Sequence, residues 1–241
     1  MAAPVSTSSR ELAESWSGFL EFCNRRSTSD WVFRGLASDG FELKPKVGRI
    51  AGEDGDFAAL LRAEKAVFAK FKRQLAQFEQ PAERDDWSLL ALAQHHGLPT
   101  RLLDWSTSPL VAAYFAVSSP PIDANAVVVA VRTRAAQYIR EFDGSPFDAR
   151  EVAFFSPPSV SPRIVNQRGL FSVHPQPWTA WELPTQRTDR VFPIPSAHKP
   201  FFRRRLFAFG VDPLTIETGL DGLCHTLDWQ YFDRVGLWLE L

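Results

Sequence analysis

The polar chemistry of this 241-residue chain is concentrated between Ala91 and Ala116, in ALAQHHGLPTRLLDWSTSPLVAAYFA. Gln94, His95 and His96 precede a Gly97–Pro99 turn. Arg101 and Asp104 bracket two leucines, and Ser106, Thr107 and Ser108 precede an apolar block. Adjacent histidines on a helix project about 100° apart, so they do not readily face one metal. At a helix C-terminus the dipole simply favours a charged imidazole; service as an acid, base or ligand contact is the alternative. Arg101 and Asp104 can pair with each other or with nearby helix ends. The three hydroxyls suit capping of the next helix, and a hydroxyl-bearing helix start is also an anion site. A second cation, Arg34, lies in WVFRGL. It is either an edge-strand arginine in water or a buried anion clamp, with Gly35 admitting a ligand to the backbone. Gln167 sits in Asn166-Gln167-Arg168-Gly169, between apolar pairs. That segment is a turn, or a strand presenting Gln167 to a cleft.

Other chemistries lack their motifs. The chain has no G-x-S-x-G elbow, no P-loop and no G-x-G-x-x-G. Paired carboxylates are not evident, no Cys/His spacing suggests zinc, and no metal is expected. HKPFFRRRLFAF (198–209) is basic and aromatic, and would either touch nucleic acid or bury its Phe/Leu face and solvate its arginines.

Elements that would position these residues follow from period and punctuation. Ser8 and Glu11 form a capping box before Leu12, Trp16, Phe19, Leu20 and Cys23 at helical spacing. Trp31–Leu36 reads as a strand. Asp56 to Phe78 reads as an amphipathic helix, with Glu64 interrupting its apolar stripe. It either reaches water, pairs with a base, or serves as a buried functional carboxylate. Trp87–His96 is a short helix stopped by Gly97 and Pro99. Arg101–Trp105 is a buried strand. Ser108 and Pro109 open a helix over Leu110–Val117. Residues 125–133 form a central strand, 133–162 a short helix and a Pro-rich loop, and 163–175 a strand-like unit. FPIPS (192–196) is an edge strand, Lys199–Phe209 a helix, and Asp212–Phe232 one or two helices.

With 45% hydrophobic residues and 23% charged residues, the composition is that of a soluble globular chain, and the net charge is −1. Any polyanion binding must come from a local patch. Cys23 and Cys224 read as buried thiols. The N-terminus lacks a signal peptide, no apolar run reaches the ~20 residues of a membrane span, and a cytoplasmic protein is expected.

WVFRGL, LKP-x-x-x-R, the 91–116 block and R-x-x-x-Q-x-G-x-F together resemble the FRG-domain family, over roughly residues 28–230. The namesake tripeptide is Phe33-Arg34-Gly35. A more remote similarity is to ADP-ribosyltransferases, in which an early-strand Arg or His, a Ser-Thr-Ser-like strand and a later Glu or Gln-x-Glu share a site. The resemblance implies an α+β fold: one mixed or antiparallel split sheet of the ADP-ribosyltransferase-like type, with packing helices at both ends. It implies an N-terminal packing helix at 1–27 and an FRG domain at 28–241, forming one compact domain. It implies Arg34, Ser106 and Gln167 as catalytic, and Phe33, Arg34, Gly35, His95, Thr107, Ser108 and Tyr114 as binding NAD, the co-substrate. Arg34 would hold the pyrophosphate or ribose. Gln167 would hydrogen-bond the ribose 2′-OH beside the developing oxocarbenium ion, where a Gln offers only a dipole and weak, altered or absent transfer is expected. Glu151 and Glu182 are the carboxylate alternatives. The implied partners are a nucleotide ligand, a nucleic-acid or protein target and an antitoxin or regulator, with no membrane, in a toxin or phage-defence effector. Two alternatives stand beside it: a non-catalytic nucleotide-binding module, and a nucleic-acid-processing protein using His95 or His96 with the 199–205 basic helix.

Overall fold

A computed structural model of the chain describes residues 8–50, 55–78, 84–134, 137–139, 144–157, 166–182 and 190–236. Most of its helices begin where a side chain can satisfy orphan backbone N–H groups. The Ser8 hydroxyl accepts from Glu11 N and opens α1, Ser9–Asn24. Asp56 caps α2, Phe57–Leu75, and Asp85 caps α3, Asp86–His95. Ser108 caps α4, Pro109–Ser118, with Pro109 at its first position. α5, Lys199–Ala208, follows a short 3-10 turn. α6, Pro213–Glu217, has a full capping box from Asp212 and Thr215. α7 runs Gly219–Asp233.

The strands are β1 (Trp31–Leu36), β2 (Leu102–Ser106), β3 (Ala126–Arg132), β4 (Ala153–Phe155), β5 (Gly169–Val173) and β6 (Val191–Ile194). They form one six-stranded sheet in the order β4-β5-β2-β1-β3-β6. Every pair among these six strands is antiparallel, with one isolated parallel bridge at Tyr138↔Phe154, and the fold is α+β. The hydrogen-bonding is uneven. β1 pairs with β3 from Trp31↔Arg132 to Leu36↔Val127, and β2 pairs with β5 along its whole length. Between β1 and β2 the register holds only at Phe33↔Ser106. The sheet therefore has a seam at its centre.

Side-chain alternation sends Phe33, Val128, Ala130 and Ile194 to one face, where α1, α4 and α5 cover them with Trp16, Phe19, Tyr114 and Phe202. Leu102, Phe155, Phe171 and Val173 on the other half of the sheet pack against Phe68, Trp87 and Leu90 of α2 and α3. The opposite face carries Val32, Leu103, Trp105, Val129 and Phe154, with Leu43, Tyr138 and Trp181 packed on it from irregular segments. Two helical groups thus stand on one face with the seam between them.

Two contacts set these groups in place. Gly35 lies under α4: a Cβ there would sit 1.9 Å from Ala112 O and 2.6 Å from Ala116 N. The close approach that Gly35 allows is made by a helix backbone, where the sequence suggested a ligand. On the other side, Arg101 donates from Nη2 to Glu64 Oε2 at 2.6 Å and from Nε to Glu64 Oε1 at 3.2 Å, with both side chains buried. The Arg101 guanidinium also lies 4.7 Å over the Phe147 ring. Arg101 therefore does not pair with Asp104, and the Glu64 that interrupts the α2 stripe is its buried counter-ion.

Other expectations shift. The described part of 133–162 holds β4 and a 3-10 turn at Pro146–Asp148 where a short helix was expected, and most of the expected Pro-rich loop, from 158 on, lies outside the described residues. Arg163 and the first part of the 163–175 unit lie outside the described residues, and Gln167 is in a turn before β5. Cys23 is half-buried, its thiol pushed up to about 12 by burial, but Cys224 is exposed.

Removing one member of a buried ion pair leaves the other uncompensated. Glu64→Ala is expected to cost about 3–5 kcal/mol in chemical denaturation, and Glu64→Leu with Arg101→Met to recover most of it. A Glu64→Ala loss below about 1 kcal/mol, the range of a surface pair, would contradict this placement. Gly35→Ala is expected to lower the unfolding free energy, read by chemical denaturation, by at least the about 1–3 kcal/mol typical of overpacking, because its obstacle is helix backbone.

Candidate functional site

The seam opens into a cleft of about 360 Å³, within the range of small-molecule sites. Residues of both sheet faces line it: Phe33, Gly35 and Ser106 from one, Arg34, Leu103 and Trp105 from the other. Ala112 and Phe115 of α4 form one wall, Gln94, His95 and Leu98 at the end of α3 the other, and Lys46 and Arg49 stand at the rim.

Arg34 is the centre of its electrostatics. Its side chain is only 15% exposed. Nη1 donates to the Asp104 carbonyl, and the Asp104 carboxylate lies 3.6 Å away. Nε is buried with no hydrogen-bond partner among the described residues. Burial pulls the guanidinium's pKa down, Asp104 opposes that pull and Arg49 adds to it. An arginine stays protonated through such a shift. The cleft thus holds a charge that its own surroundings satisfy incompletely, and an oxyanion would complete it.

The neighbouring cations are each anchored by one hydrogen bond among the described residues. Lys46 Nζ donates to Gly97 O at 2.9 Å, and Arg49 Nε donates to Lys44 O at 2.9 Å. These bonds hold their stems in place. The LKP-x-x-x-R spacing contained Arg49, but a loop residue gives no sign in sequence of which strand it will face. Gln94 accepts from Thr100 Oγ1, which binds the α3 wall to the turn before β2.

Arg34, Ser106, Gln167, Phe33, Gly35 and His95 all line the one cleft. The Ser106 hydroxyl is already engaged: it donates to Gln167 O at 2.7 Å and accepts from Ser108 N at 3.0 Å. It pins the Gln167 turn to the seam. Three expected ligand contacts do not line the cleft. Ser108 caps α4, and Thr107 is exposed with its N–H donating to Arg168 O. Tyr114 is buried in the core, where its hydroxyl donates to Glu217 Oε1 at 2.7 Å. An apolar helix with one tyrosine does not reveal in sequence which way the ring turns. Glu151 and Glu182 are exposed and away from the cleft lining, which leaves Asp104 as its carboxylate among the described residues.

The basic helix α5 is mostly turned inward. Lys199 is fully buried and donates to Ala37 O and Pro121 O, and burial lowers its pKa. Arg203 pairs with Asp233 at 2.5 Å and donates to Val117 O. Phe202 and Leu206 are buried, leaving Arg204 and Arg205 exposed. His95 and His96 stack edge to face at 5.0 Å, with His95 lining the cleft and His96 exposed as the helix cap.

Comparison with known families matches the FRG domain over residues 29–124. No curated protein matches the chain, and neither does any solved structure. The matched segment includes β1, β2, α4 and both cleft walls; Gln167 lies beyond it. Among the described residues no helix is long and apolar enough to cross a membrane.

Behind Arg34 lies a buried polar chain that sequence did not single out. Trp105 Nε1 donates to Ser172 Oγ at 2.8 Å, and Ser172 Oγ lies 2.8 Å from His174 Nε2. With the indole donating to it, the hydroxyl can give its own proton to an unprotonated Nε2. Burial first, then the charge of Arg34, pushes the His174 pKa down to about 3. Unfolded, His174 titrates near about 6.5. Between these values the unfolded chain binds the extra proton, so its contribution to stability falls as pH drops below about 6.5. The slope approaches about 1.4 kcal/mol per pH unit. Denaturation between pH 7 and pH 4 is expected to show a shallower dependence in His174→Gln; an unchanged slope would remove His174 as its source.

Proposed function

This chain is an FRG-domain protein, and from that premise we propose that its central cleft binds a nucleotide through phosphate, with NAD as co-substrate of an ADP-ribosyltransferase-like activity. The observation that carries the reading is Arg34: a mostly buried guanidinium in a cleft, with Nε unpartnered among the described residues and Lys46 and Arg49 beside it. The single-pair seam is consistent with a split-sheet architecture of the ADP-ribosyltransferase-like type.

The residues present fit such a ligand. Arg34 would hold the pyrophosphate with Nε and its free Nη2 hydrogens, the planar fork that lysine lacks. Lys46 and Arg49 would supply further positive charge at the rim. Phe115 and Leu98, both part-exposed in the lining, would offer apolar surface to a base or to nicotinamide. Gln167 would hydrogen-bond a ribose hydroxyl, its backbone held by Ser106. Bound NAD would supply an ADP-ribosyl group on a labile bond to nicotinamide. An acceptor on nucleic acid or protein, a cytoplasmic toxin or phage-defence setting, and an antitoxin or regulator belong to the same proposal.

A second reading, nucleotide binding without turnover, is favoured by one observation. Among the described lining residues Asp104 is the one carboxylate and lies toward Arg34, while Gln167 contributes only a dipole.

Calorimetry with ADP-ribose and NAD tests the binding, and nicotinamide release separates the two readings. Hydrogen bonds to a charged group contribute about 1.5–3 kcal/mol, so Arg34→Ala is expected to weaken ADP-ribose by about tenfold to a hundredfold. Arg34→Lys is expected to restore little of it. Wild-type protein that binds neither compound would end the proposal.

A further inference from the structure

A second cationic recess, of about 410 Å³, is lined by Asp30, Arg132, Thr133, Arg134 and Arg190, and among the described residues it shares no lining residue with the cleft. Sheet topology creates it. Asp30 precedes β1, Arg132 ends β3 with Thr133 and Arg134 following, and Arg190 precedes β6. Because β3 lies between β1 and β6, residues about 100 and 60 positions apart meet at one end of the sheet. The backbone is firmly held: Thr133 N donates to Asp30 O at 2.7 Å, and the Thr133 hydroxyl bonds to the same carbonyl.

The charges there do not balance. Among the described residues Asp30 is the one carboxylate in the lining, and both its oxygens are occupied. Oδ1 accepts from the Thr28 hydroxyl and Oδ2 from Arg132 Nε at 2.5 Å. Thr28 first, then Arg132, hold this carboxyl below its usual range, so it stays ionised. It neutralises one arginine of three. Arg134 and Arg190 make no ion pair among the described residues, and Arg190 Nε is buried without a hydrogen-bond partner there. A buried guanidinium N–H without an acceptor is costly, and two like charges in one recess add to the cost. A ligand oxyanion relieves both.

We propose that Arg132, Arg134 and Arg190 form a second oxyanion site that takes a phosphate group, distinct from the nucleotide cleft. The phosphate comes either from the backbone of a nucleic acid or from a free phosphate compound. Arg134 and Arg190 contact it, and Arg132, steered by Asp30, closes the third side.

The test titrates the full chain at low salt with inorganic pyrophosphate and with a short single-stranded DNA oligonucleotide, following ADP-ribose in parallel. Arg134→Gln with Arg190→Gln is expected to weaken the phosphate probe by at least about tenfold, with ADP-ribose affinity unchanged. Asp30→Asn keeps the carbonyl that holds Thr133 but frees Arg132, and is expected to strengthen the same probe. A nucleic-acid source appears as oligonucleotide binding whose salt slope falls by about 1.4 in the double variant, two contacts at about 0.7 each. A free-phosphate source appears as pyrophosphate binding with none of the oligonucleotide. The proposal is overturned if neither probe binds the wild type, if the double variant binds both unchanged, or if it loses ADP-ribose equally. Loss of ADP-ribose binding in the wild type would instead count against the cleft.

Discussion

The buried pair of Glu64 and Arg101 is the contact on which the cleft depends. Two charges out of water are tolerated only when each satisfies the other with good geometry, and here the guanidinium meets both carboxylate oxygens. The pair joins the middle of α2 to the start of β2. With α2 goes α3, whose last turn carries Gln94 and His95 to the cleft. A helix held to a sheet by apolar contact alone can slide by a residue; a bidentate ion pair cannot slide without breaking.

The opposite wall rests on the absence of a side chain. Gly35 lets α4 settle on β1 at a distance no Cβ permits. α4 packs on β1 and β3, and α2 and α3 pack on β2 and β5. β1 and β2 share one register pair between these groups. Past that single pair the two strands part, so residues of both sheet faces line the same space. Arg34 crosses the seam to the Asp104 carbonyl and is left with donors to spare.

Arginine recurs in this chain in two states. Arg101 and Arg203 are consumed by internal carboxylates and give rigidity. Among the described residues, Arg34, Arg134 and Arg190 line recesses with at least part of the guanidinium unpartnered. The difference lies in how much of the guanidinium a carboxylate engages: Glu64 meets Arg101 with both oxygens, whereas the Asp104 carboxylate stands 3.6 Å from one nitrogen of Arg34. Burial at Arg34 and Arg190 makes the uncommitted state costly, and that cost favours anion binding at both places.

Local chemistry made much of the fold legible. Caps at Ser8, Asp56 and Ser108, the stop at Gly97 and the apolar strand over 126–132 are short-range effects, decided by side chains within a few residues of the backbone groups they serve. Arg34, Ser106 and Gln167 stood out for the same reason, as polar residues inside apolar segments. What only the tertiary structure decided was pairing across distance. It gave Arg101 to Glu64, 37 residues away, instead of Asp104, and it turned Tyr114 to Glu217 and away from the cleft. It brought Lys46 and Arg49 to Arg34 from a loop without periodicity. It gathered Arg132, Arg134 and Arg190 because β3 lies between its neighbours in space and not in order along the chain. Caps and periods are written in neighbouring residues, whereas a counter-ion is chosen by whichever strand order brings it within reach.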